Sequence, residues 1–120
     1  MHISPRLAWR AWSATLACAL LTCAPVAHST VIAASGKVVG MLSYANFGGG
    51  DFTFKLASQP AGCSGGFWLS KSQPGFQASV AFILKAHTTG EQVLVGADNA
   101  QLWTGSGDQW CKVDYVGVPY

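Results

Sequence analysis

One stretch, Ser72 to Ala97 (SQPGFQASVAFILKAHTTGEQVLVGA), does most to limit what this chain can fold into, because it reads as one amphipathic helix running into one buried strand. At the 3.6-residue period Phe76, Val80, Ile83, Leu84 and His87 fall in a stripe roughly 100° wide, the width a helix needs to cover a sheet. Pro74 stands where its missing N–H does no harm, with Ser72 or Gln73 as the N-cap, and Gly90 provides the left-handed residue that stops the helix. The opposite side carries Ala78, Ala81, Phe82 and Lys85, which is too apolar for a plain solvated face. Either Phe82 tucks under a neighbouring loop of its own chain, or this side is a second packing surface at which copies of the chain meet as a homo-oligomer.

Short strands are expected on both sides of this unit. Gly36 to Tyr44 alternates loosely, with Gly40 marking a bend or a close backbone approach. The glycine-rich turn Asn46 to Gly50 then leads into Asp51 to Ser58, where Phe52, Phe54 and Leu56 share one face and Thr53 and Lys55 the other. No helix follows the glycines and the phosphate-loop spacing is absent, so they form a hairpin turn. A loop around Cys63 precedes a short strand, Phe67 to Ser70. After the helix come Glu91 to Gly96 and Trp110 to Val118, with Asn99 to Trp103 a candidate brief strand between them; on the last strand Cys111, Val113 and Tyr115 face one way and Trp110, Lys112 and Asp114 the other. The pattern predicts a small α+β domain of order β-β-β-α-β-β, whose antiparallel sheet curls into an OB-like barrel, since a flat open sheet would leave its edges exposed.

The first residues lie outside that pattern. Met1 to Ser29 has Arg6 and Arg10, an uncharged run from Ala11 to Leu21 and the small-residue triplet Ala27-His28-Ser29, the features of a secretory signal peptide. Cleavage after Ser29 and cleavage after Ala33 fit equally well. One domain, residues 30–120, then remains, directed to the periplasm or the exterior of a Gram-negative cell. The run is too short for a membrane span, and Thr22 before Cys23 argues against a lipoprotein. Removing the leader takes the seven Lys and Arg to five, by loss of Arg6 and Arg10, against five acids, so the net charge falls from +2 to about zero. A neutral surface without a basic run gives no footprint for nucleic acid or anionic lipid. The four cysteines fall to two with the loss of Cys18 and Cys23, and in an oxidising compartment Cys63 and Cys111 should pair.

The same inventory argues against catalysis. The mature chain holds one histidine, His87, expected on the core face of the helix, and both cysteines are committed to a disulfide, so no nucleophile–base pair is offered. A transition-metal site needs three or four clustered ligands, and no such cluster is written here, nor is a cofactor motif. Asp51, Glu91 and Asp98 fall at strand ends and turns, where acids serve as turn formers. Aromatic residues, by contrast, are plentiful beside few charges, and such rings stack on sugars or anchor protein interfaces. Trp68 and Trp103 are expected in the core around the disulfide. Trp110, flanked by Lys112, is expected at the surface. The best reading is a non-catalytic module that binds a glycan or a protein partner, and its rival is an envelope interaction or inhibitor protein with no small ligand.

Several short motifs carry a resemblance. Thr88-Thr89-Gly90, Val93-Leu94-Val95 and Trp103, following an alanine-rich helix and preceded by Ser35-Gly36, Val38-Val39 and Cys63, resemble the B subunit of subtilase cytotoxin and the small secreted bacterial proteins like it. The resemblance spans most of the mature chain. It implies an OB-like fold, a ring of identical subunits whose helices line a central pore, and glycan recognition. Ser35 matches the family's sugar-binding serine, and with Lys37 it joins Trp110 and Lys112 as the expected ligand contacts. After Val95 the chain has Gly96-Ala97, where the family has tyrosines that help hold the sugar.

Overall fold

The computed structural model describes residues 31–119, so the expected leader, with Cys18 and Cys23, lies outside the described residues, as does Tyr120. The elements are β1 (Val31–Ser43), β2 (Phe52–Leu56), β3 (Gly66–Leu69), α1 (Phe76–Thr89), β4 (Gln92–Leu102) and β5 (Trp110–Gly117), with one 3-10 turn, Phe47–Gly49, between β1 and β2. This is a small α+β domain of the expected order. Its five strands pair in the sequence β1-β2-β3-β5-β4 and return to β1, closing a ring. The sheet is mixed and not wholly antiparallel as expected, because β3 and β5 run parallel and only the other pairs antiparallel.

The ring closes because β1 and β4 are long enough to serve two neighbours. β1 reaches five residues further toward the N-terminus than the alternation predicted: Val31 to Lys37 pair with β4, and Val38 to Ser43 pair with β2. The change of partner coincides with a bulge between Val38 and Gly40. Gly40 therefore marks the expected bend but no close approach, since a side chain there would meet nothing within 4 Å. Cleavage after Ala33 would remove three residues that pair with β4.

β4 joins the two segments expected as separate strands. Its register against β5 slips between Asp98 and Leu102, where Asp98 Oδ1 accepts from the backbone N–H of Ala100 at 2.8 Å, so the turn-forming acid bends the strand without ending it. A second slip, at Gly96 and Ala97, leaves Asp114 as an extra residue on β5. Beyond it the inward face changes phase: Cys111 and Val113 are buried as expected, but Tyr115 turns out and Val116 packs inward. Gly96 makes room for Tyr115, whose ring occupies the space a side chain at 96 would need.

The interior is filled by Phe52, Phe54 and Leu56 of β2, Phe67 and Leu69 of β3, Val93 and Val95 of β4, and Val113 of β5. Each such side chain taken from water stabilises the fold by about 1.5–3 kcal/mol. The helix closes one side of this core, in contact with β1, β4 and β5. It starts at Phe76 behind Gly75, two residues later than expected, because Gln73 and Pro74 form a turn whose Gln73 carbonyl accepts from Phe76 N–H at 3.0 Å. Its buried residues are Ile83 and Ala86, with Phe76 and Val80 packed at the edge. The expected stripe is thus rotated: small Ala86 faces the sheet, and Leu84 and His87 are exposed. His87 stays tied to the sheet by a 3.0 Å contact between Nδ1 and the Val38 carbonyl.

Cys63 and Cys111 form a disulfide, Cα to Cα 5.4 Å, which joins the loop before β3 to β5 beside the parallel pair.

Candidate functional site

Two loops meet at one end of the ring. Gly48, Gly49 and Gly50 all have left-handed φ, which turns the β1–β2 hairpin tightly and brings Asp51 under Gly48. From the β4–β5 loop, Trp103 enters this turn. Its indole Nε1 donates to Asp51 Oδ2 at 2.9 Å with both side chains buried, and Tyr44 and Phe47 pack on its ring at centroid distances of 5.1 and 5.4 Å.

Trp110, the first residue of β5, rests against this cluster edge-on at 5.9 Å from Trp103. Its indole lies across Gly65 and Gly66 on the outer surface of β3. A side-chain carbon at Gly65 would come within 2.6 Å of the indole, and one at Gly66 within 2.7 Å, so two glycines are what allow the ring to lie flat on backbone. Lys55 Nζ stands 5.1 Å above the ring centroid. Trp110 and Lys55, with Gly40, Met41, Leu42 and Thr53, line an apolar hollow of about 260 Å³. The indole Nε1 is buried and has no hydrogen-bond partner.

Further round the ring lies a polar hollow of about 340 Å³, bordered by Val31, Gln73, Asp98, Gln101, Lys112, Val113 and Asp114. Its side chains hold one another. Gln73 accepts from Ser70 N–H and donates to the Val113 carbonyl, both at 2.8 Å. Asp98 Oδ2 accepts from Gln101 Nε2 at 2.8 Å, and Gln101 Oε1 accepts from Lys112 Nζ at 3.3 Å. Trp68 stands behind them: its Nε1 donates to the Gln101 carbonyl at 3.1 Å, and Lys112 Nζ lies 5.5 Å from its ring centroid.

Of the residues expected to bind ligand, Trp110 and Lys112 project from one face of β5, two residues apart, but each lines a different hollow. Ser35 and Lys37 are exposed on β1 opposite Leu94 and Gln92 of β4, and neither borders these two hollows. Trp103 is in the interior as expected. Trp68 is only half-buried and sits at the surface, while Trp110 is half-buried and not freely exposed. Ala78, Ala81, Phe82 and Lys85 are exposed and share a shallow apolar hollow of about 330 Å³.

Lys55, Trp68, Gln73, Asp98 and Gln101 were not singled out as site residues from the sequence. Lys55 had a legible cue, as the one charged residue on the outward face of the clearest strand, and so had Gly65-Gly66, since a bare backbone entering a strand invites an aromatic neighbour. The polar hollow had none, because its members are brought together only by ring closure. Among the described residues no three His, Cys, Asp or Glu side chains gather as a metal site, and no helix is long and apolar enough to cross a membrane. No protein-family model matches the chain, and neither the curated proteins nor the solved structures give a match.

Proposed function

We propose that this chain is an exported, non-catalytic binding module, an OB-like barrel of the kind found in toxin B subunits, which recognises a glycan on the outer face of its sheet. The observation that carries the reading is Trp110: an indole laid on Gly65 and Gly66, bordering a hollow, with the Lys55 ammonium 5.1 Å from its ring centroid. A flat aromatic surface beside a hydrogen-bond donor is what the apolar face of a pyranose stacks upon. The OB-like assignment is supported by the closed ring, by β1 shared between β2 and β4, and by the helix inserted between β3 and β4. Export is supported by the disulfide, which persists in oxidising compartments. A ring of several copies, joined through the outer face of α1, belongs to the same reading.

A glycan array tests it, with Gly40→Leu as the main variant. Gly40 borders the hollow and has open space before it, so a leucine there fills the hollow without disturbing the core. Binding by the native protein that disappears in Gly40→Leu and Trp110→Ala supports the module. Ser35→Ala probes the contact carried over from the resemblance. An array on which the native protein is silent, together with a co-purifying envelope protein, favours the interaction or inhibitor protein instead.

A further inference from the structure

We propose that the polar hollow between the start of β1 and the middle of β5 is a second sugar subsite, one that takes uncharged or amino sugars and disfavours acidic ones; this rests on reading the chain as a glycan-binding module. The hollow, about 340 Å³, is roomy enough for one pyranose ring, and its rim offers both senses of hydrogen bond. The Asp98 and Asp114 carboxylates accept, the Lys112 ammonium donates, and the Gln73 and Gln101 amides do both. Vicinal sugar hydroxyls, each donor and acceptor, need such a mixture.

Two features separate this hollow from an ordinary polar surface. The first is order. Exposed Gln, Asp and Lys side chains commonly move freely, yet here Asp98, Gln101 and Lys112 form one hydrogen-bonded chain backed by Trp68, and both ends of the Gln73 amide are fixed to backbone. Ordering these side chains before a ligand arrives removes part of the entropy that binding would otherwise cost. The valences engaged do not exhaust the groups, since a carboxylate has about four lone-pair sites and an ammonium three protons.

The second is charge. Two carboxylates face one ammonium, and that ammonium already has Gln101 and the Trp68 ring as neighbours. A carboxylated sugar placed here meets more negative charge than positive. An uncharged sugar meets no such repulsion, and an amino sugar finds acceptors. The apolar hollow at Trp110 has the opposite bias, because Lys55 is its one charged residue.

The test is a series of nitrogen–proton correlation spectra of the secreted protein, titrated at fixed ionic strength with D-glucose and D-galactose and with the 2-amino and 6-carboxylate counterpart of each. Binding here shifts the backbone amides of Gln101 and Lys112 and the side-chain amides of Gln73 and Gln101. At least one uncharged sugar should bind about fivefold more tightly than its 6-carboxylate, the factor that a single unit-charge repulsion near 4 Å supplies in water. Asp114→Asn, an exposed position, should narrow that gap, and Trp110→Ala should leave these shifts in place. Shifts confined to Thr53 and the Trp110 indole N–H would overturn the second subsite and leave the module standing. Acidic sugars binding as tightly as uncharged ones would also overturn it, and no shift at either hollow would remove both readings.

Discussion

The indole N–H of Trp103 donates to the carboxylate of Asp51 at 2.9 Å inside the protein, joining the loop that enters β5 to the hairpin that opens β2. Asp51→Ala leaves that N–H buried without an acceptor, which costs about 1–3 kcal/mol. For a domain of this size each kcal/mol corresponds to about 4–8 °C in Tm. Asp51→Asn retains an acceptor and should lose less. Thermal unfolding followed by tryptophan fluorescence reads both, and equal losses in the two variants would show that the hydrogen bond is not what matters there.

The disulfide should account for a large share of the stability. Cys63 and Cys111 are 48 positions apart, and closing a loop of that length is worth about 4 kcal/mol in the chain-entropy view. Replacing both by alanine should lower the denaturant midpoint and steepen the slope, because the unfolded chain without the cross-link exposes more surface. A midpoint that does not move would refute the assignment.

Gly66 is irreplaceable for two reasons that act together. Its φ of +132° is strained for any other residue, and a side chain there would also press on the Phe54 carbonyl and the Trp110 ring, each at 2.7 Å. Gly66→Ala should cost about 1–3 kcal/mol from the backbone strain alone, before any displacement of the indole. Gly40→Ala, where nothing stands in the way, is the matched control and should be nearly neutral. The comparison is made by chemical denaturation.

Phe82 decides between the two readings of the outer helix face. It is 45 % exposed, and no loop among the described residues tucks over it as the folding account required. Phe82→Glu should therefore lower the melting temperature of a monomer only slightly. If copies meet at Ala78, Ala81, Phe82 and Lys85, burial of Phe82 contributes about 1.5–3 kcal/mol per subunit, and the variant should dissociate. Sedimentation at tens of micromolar measures this, and a native protein that sediments as a monomer there would end the proposal.

What could be read from the sequence followed from local rules. Phe52, Phe54 and Leu56 announce an inward face by simple alternation, the Gly48 to Gly50 turn is written in its composition, and the two cysteines outside the expected leader have one partner each. What could not be read depends on neighbours. The outward turn of Tyr115 follows from a bulge that exists only because β5 slips against β4. The rotation of α1, which sets Ala86 inside and Leu84 outside, reflects how closely a small residue lets the helix approach the sheet. Hydrophobicity alone places Trp68 in the interior, whereas its N–H has a carbonyl to meet at the rim. The polar hollow draws on Gln73, Asp98 and Lys112, which belong to three separate segments.

The parallel pairing of β3 with β5 also shapes how the protein is made. Like the β1–β4 pairing, this one joins strands on opposite sides of the helix, whereas the other three pairings join consecutive strands, and it also waits for all of β4 to be laid down. Until it forms, two strand borders stand open to any other unfolded chain nearby. The Cys63–Cys111 bond straddles that seam, so an oxidant reaching the thiols early would turn a long-range search into a short-range one. Where synthesis outpaces oxidation, the chain should accumulate as aggregates joined border to border, and the yield of soluble product should track thiol oxidation more closely than synthesis.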